Sequence, residues 1–140
     1  CGMNDVVIDK IQSIQRCVLR AREEYAEAGD EFSENYTHQD AALLNVLRGC
    51  ETAIDLANYV IRAYKLGIPV SSRDSFRLLY AERIIDDRLA ERMVKMVAFR
   101  NTLVHQYARI DLHVAEAVIV SGLDDLLRFA EQIRQYVGGA

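Results

Sequence analysis

Residues 38–66 read HQDAALLNVLRGCETAIDLANYVIRAYKL. Leu43, Leu47, Cys50, Ile54, Ala57, Ile61 and Tyr64 recur at intervals of three and four, the spacing that lines one face of an α-helix. This stripe predicts a long second helix over about 38–66, ended by Gly67 with Pro69 just beyond. Upstream, Val7, Ile11, Ile14, Val18, Ala21 and Tyr25 form a matching stripe, predicting a first helix over about 4–28 that stops near Gly29. Downstream, Ser71 or Ser72 can cap a short third helix carrying Phe76, Leu79 and Tyr80. Asp86 can cap a fourth, with a stripe of Leu89, Met93, Met96, Arg100, Leu103 and Tyr107. Asp111 can cap a fifth, along which Ile119, Leu123, Leu126, Ala130, Ile133 and Val137 recur. The sequence shows neither a strand alternation nor a repeat. Long amphipathic helices with short connections predict an all-α fold, an antiparallel bundle of four long helices plus one short helix.

The chain has 140 residues, 51% of them hydrophobic and 27% charged. One domain of that size buries roughly 68–70% of its unfolded surface and needs no disulfide or metal to hold it. The expected domain is 3–138; Cys1 and Gly2 precede Met3, which reads as a natural start, and are expected to be a non-native remnant. The apolar runs are too short to span a bilayer and no secretory leader is evident, so the expected compartment is the cytoplasm. Cys1, Cys17 and Cys50 form no CxxC pair. Cys50 lies on an apolar stripe and Cys17 beside one, as expected of buried apolar residues.

Net charge is −4, a poor balance for general nucleic-acid binding. It is unevenly distributed. Arg73–Arg109 carries 8 basic and 5 acidic residues, whereas Glu23–Asp40 carries seven carboxylates and no Lys or Arg. The acidic run reads as a solvated helix end and loop. His38 and His113 lack metal-ligand spacing, and the chain has no Gly-rich phosphate loop, so no metal and no cofactor is expected.

The fourth helix interrupts its own apolar stripe with Arg100. A buried guanidinium is costly unless it is paired or lies at an interface. At about 100° per residue, Arg100 and Tyr107 share a face, Asn101 and His105 share a neighbouring one, and Arg100 and His105 are about 140° apart. One helix therefore does not aim Arg100 and His105 at a common atom, but two such helices crossing at a twofold axis could. A purely structural reading is also open: an Arg bonded to helix-end carbonyls, a His favoured by the helix dipole, a surface amide at Asn101 and a core-closing ring at Tyr107.

The segment Phe99-Arg100-Asn101-Thr102-Leu103-Val104-His105-Gln106-Tyr107 resembles the signature of the HEPN superfamily, an Arg and a His a short helical step apart. It is most similar to the HepT-like toxins, whose helix reads RN, a short apolar stretch, then H, one residue and Y. The similarity runs from about Met3 to Val137 and takes in the Gly67–Pro69 break and the Ile110-Asp111 start of the fifth helix. The resemblance implies a homodimeric bundle acting as a metal-independent endoribonuclease of a HEPN/MNT toxin–antitoxin system. Arg100 and His105 would be catalytic, with Asn101 in support or binding phosphate. It also implies a minimal nucleotidyltransferase antitoxin that adenylylates Tyr107. The chemistry is reasonable: a 2′-hydroxyl can attack the adjacent phosphate if a His moves protons and an Arg holds phosphate oxygens. The alternatives are a non-catalytic HEPN substrate-binding subunit of a nucleotidyltransferase and a plain helical interaction protein.

Overall fold

The apolar stripes of the long helices converge on one core in the computed structural model, which describes residues 3–139. Cys1 and Gly2, the expected remnant, lie outside the described residues. Helix α1 is Met3–Ala28, α2 is Tyr36–Ala63, α3 is Ser72–Ala81 and α4 is Asp87–His105. The last rod consists of α5 (Leu112–Ala117), a π turn (Val118–Gly122) and α6 (Leu123–Gly139). The fold is thus the expected all-α bundle of four long rods and one short helix.

Contacts between the rods give their directions. His38 meets Glu24 while Gly49 lies against Cys17, so α1 and α2 are antiparallel. Tyr25 reaches Glu116 while Arg22 reaches Asp124, so the last rod runs against α1. Arg92 holds Asp125 while Asp86 holds Gln132, so α4 also opposes α6. Asp125 is buried, and the Arg92 Nε donates to both its oxygens at 2.9 and 2.8 Å, giving that carboxylate the partner burial demands. At the centre, Phe76 of α3 meets Phe129 of α6 edge-to-face, with ring centroids 5.3 Å apart. Truncating either ring to Ala would cost about 3–5 kcal/mol.

The caps fall where the sequence puts them: Ser71, Asp86 and Asp111 each accept a backbone N–H of the following turn. Three details differ. Helix α2 begins earlier, at Tyr36, because Asn35 caps it through His38 N at 3.0 Å. It ends at Ala63 rather than at Gly67. Lys65 makes the left-handed reversal (φ 56°), and the Leu66 N–H returns to the Ile61 carbonyl at 2.9 Å. Gly67 (φ 135°) serves the loop beyond. Last, the expected fifth helix is interrupted by the π turn. There Arg22 reaches in from α1, its Nε donating to the Ile119 carbonyl at 3.0 Å and its Nη2 to the Val120 carbonyl at 3.3 Å. Among the described residues, no helix is long and apolar enough to cross a membrane.

Candidate active site

Helix α4 carries the motif because Asp86 starts it and the Leu89, Met93, Met96 and Leu103 stripe anchors it in the core. Arg100 falls on the side facing α2 and α3, and its side chain is only 19% exposed. Its Nη2 donates to Ser72 Oγ at 2.9 Å, and its Nε lies 3.2 Å from Glu51 Oε1. That second approach is an ion pair outside hydrogen-bond geometry, so the buried Nε–H has no acceptor. The structural alternative for Arg100, bonding to helix-end carbonyls, is not what the structure holds: both partners are side chains. Glu51 also lines a groove of about 810 Å³ between α1 and α2, where Arg16, Arg20 and Arg48 stand. The guanidinium thus adjoins a groove rich in arginine.

His105 is the last residue of α4 and is exposed. Among the described residues its ring makes no hydrogen bond or ion pair, so Asn101 does not orient it within the protomer. Arg100 turns inward to Glu51 and Ser72 while His105 stands in solvent, as their separation of about 140° around the helix requires.

Tyr107 lies beyond the end of α4 but faces α2, as Arg100 does: it meets Asp40 where Arg100 meets Glu51 further along that helix. The helix stops at His105, and Tyr107 begins a 3₁₀ turn, Tyr107–Arg109. Its ring lines an apolar cleft of about 320 Å³ with Leu43, Leu44, Leu47 and Leu103, yet it is 42% exposed. Its hydroxyl donates a short hydrogen bond to Asp40 of α2. Partial burial, then the bond to Asp40 and that residue's charge, push the phenol well above its usual range.

As site residues, Asp40, Glu51 and Ser72 are not marked by the sequence, which offers Ser72 only as a helix cap. Each meets its motif partner across a long stretch of chain, and no local spacing marks them. The only signal was the acidic run ending at Asp40, read as solvated surface. That run has a second use: His38 Nδ1 lies 2.5 Å from Glu24 Oε2 and 4.0 Å from Glu27 Oε2. The ligand atoms of this trio lie within 4.8 Å of one another, a grouping able to hold a divalent ion as well as to pair internally. Spacing along one helix misses it because α1 and α2 share the ligands.

A sequence model of the family described as "Ribonuclease HepT-like" matches residues 8–133. The mRNA nuclease HepT of Shewanella oneidensis is 41% identical over 132 residues, which cover 94% of this chain and 98% of that protein. The solved structure of the tri-AMPylated Shewanella oneidensis HEPN toxin in complex with MNT antitoxin is similar with a TM-score of 0.88. Its identity is 40%, covering 94% of this chain and 98% of the other. The structure of YutE from Bacillus subtilis, at 21% identity and a TM-score of 0.81, shares the fold; the alignment covers 98% of this chain and 92% of that one.

Proposed function

The chain belongs to the Ribonuclease HepT-like family, and we propose that it is the toxin of a HEPN/MNT pair, a metal-independent endoribonuclease with Arg100 and His105 as its catalytic groups. The observation that carries the assignment is Arg100, a mostly buried guanidinium of the motif helix held by Ser72 and Glu51 beside an arginine-rich groove. A guanidinium fixed in this way can offer its remaining donors to a phosphate oxygen, and Arg16, Arg20 and Arg48 suit the neighbouring phosphates of a strand. His105 moves the protons. Imidazole is the side chain whose ordinary titration range lies nearest neutrality, and its exposed position at the end of α4 lets RNA reach it.

Each protomer has one motif His, so the acid and base roles call for two copies. A homodimer with its α4 ends at the twofold axis brings one protomer's His105 toward its partner's Arg100, and Asn101 supports the phosphate from the neighbouring face. The 2′-hydroxyl, deprotonated by one imidazole, attacks phosphorus; the second protonates the departing 5′-oxygen, leaving a cyclic phosphate. The guanidinium stabilises the charge that develops on the phosphorane. Residues 3–138 act as one domain, working in the cytoplasm on cellular RNA. A minimal nucleotidyltransferase antitoxin silences it by placing AMP on Tyr107, where the added anion obstructs the site. Incubating purified chain with RNA in EDTA tests the reading. Cyclic-phosphate ends from the wild type and none from His105→Ala are expected; strict dependence on a divalent ion overturns it.

A further inference from the structure

A tyrosine hydroxyl is a weak nucleophile near neutrality because it is almost wholly protonated there. Attack on the α-phosphorus of ATP therefore requires something to take its proton. Tyr107 is already hydrogen-bonded to a candidate. Its hydroxyl donates to Asp40 Oδ1, a carboxylate in the first turns of α2. Both residues are exposed, at the rim of a cleft whose remaining lining is Leu43, Leu44, Leu47 and Leu103. Across the cleft α4 contributes only Leu103, and α2 contributes Asp40 with three leucines, so Asp40 is the one titratable neighbour among the lining residues. The apolar walls leave the phenol proton a single strong acceptor within the chain. The negative charge of Asp40 also disfavours free tyrosinate, which argues for proton transfer during attack rather than before it.

We propose that Asp40 is the proton acceptor for AMP transfer onto Tyr107, so that the toxin supplies the catalytic base for its own modification. The proposal rests on the reading of Tyr107 as the AMP acceptor. In the step, the Tyr107 oxygen forms a bond to the α-phosphorus of ATP. The bond from that phosphorus to the bridging oxygen breaks, and pyrophosphate leaves with the electron pair. The phenolic proton passes to the Asp40 carboxylate and then to solvent. The partner enzyme binds and orients the nucleotide with its magnesium.

The test uses the purified full chain, its cognate nucleotidyltransferase, ATP and Mg²⁺, with initial rates of AMP addition followed by intact mass and peptide mapping from pH 6 to 10. Asp40→Asn keeps the size of the side chain and a hydrogen-bond acceptor but cannot take the proton. Its rate near neutrality is expected to fall by about 10²–10⁴-fold. It should climb with pH across a range where the wild type is flat, because the phenol must then ionise unaided. Asp40→Glu, which restores a carboxylate, should recover part of the loss; circular dichroism checks that both variants are folded. Asp40→Asn labelled at the wild-type rate overturns the proposal. So does a loss uniform across pH, since a merely structural role would lower the rate without changing the profile. Wild-type chain that takes no AMP on Tyr107 removes the underlying reading instead, a result distinguishable because it appears before any Asp40 variant is compared.

Discussion

Glu51 holds Arg100 without satisfying it. The Nε of Arg100 is 3.2 Å from the Glu51 carboxylate, yet its N–H finds no acceptor. The pair therefore restrains the guanidinium electrostatically while leaving one buried donor unmet, which costs about 1–3 kcal/mol.

Arg100→Ala should lower RNA cleavage by about 10²–10³-fold, the loss typical of removing one donor to a developing anion. Arg100→Lys should rescue poorly, because an ammonium cannot occupy Ser72, Glu51 and phosphate with one planar fork. Single-turnover cleavage at saturating RNA measures both variants, and full rescue by Lys would mean that the site needs charge alone.

His105→Ala should lose about 10²–10⁴-fold in cleavage while its thermal midpoint stays near that of the wild type. The ring is exposed and makes no bond within the described residues, so the fold does not depend on it. A heterodimer of one wild-type and one His105→Ala chain gives a sharper test. If one imidazole from each protomer serves as base and acid, the mixed dimer should be nearly as inactive as the His105→Ala homodimer, whereas half the wild-type activity would mean that each His105 works without the other.

Asp86→Ala should destabilise the bundle by about 1 kcal/mol at neutral pH, since it removes the cap of α4. The Gln132 amide, and then the Leu89 N–H, hold the Asp86 carboxyl below the usual carboxylate range. A carboxyl with a depressed folded-state pKa stabilises fully above its unfolded value of about 3.9 and loses that contribution as pH falls through the folded value. The gap between wild type and variant should therefore be widest above about pH 5 and close towards pH 2. Urea melts at several pH values check this, and a gap independent of pH would reject the charged cap.

Cys17 and Cys50 should resist maleimide in the native state and react only on unfolding. Burial raises both thiols, and it pushes Cys50 up to about 12. Labelling a Cys1→Ser chain with and without denaturant measures this directly. Rapid native labelling of Cys50 would require an opening of α2 that its packing does not suggest.

The bundle was legible because its cause is local. A stripe such as Val7, Ile11, Ile14 and Val18 needs only the helical period, and all four residues are buried. The caps at Ser71, Asp86 and Asp111 follow equally short rules. Helix ends were less legible: Lys65 takes the left-handed position that the nearby Gly67 seemed to claim. Of the candidate site, the sequence supplied the motif but not its surroundings. Arg100 stands out because it breaks an apolar stripe, whereas Glu51 and Ser72 are ordinary surface types until folding brings them to it. The helix ends at His105, two residues before Tyr107, a stop that the helical period does not signal, yet the 3₁₀ turn keeps that ring against α2, the helix that Arg100 also faces.

The π turn at Val118–Gly122 lets the protein absorb a change in chain length. A wide turn of this kind holds one residue more than the α-helical path it replaces. Deleting a single residue there can let α5 run straight into α6 while each keeps its own buried face, whereas the same deletion inside α2 would rotate half its stripe out of the core. Arg22 would then lose the loosened carbonyls of Ile119 and Val120 and keep only Asp124. Length variation among homologous chains should therefore collect at this turn, with an arginine at the position of Arg22 accompanying the longer form.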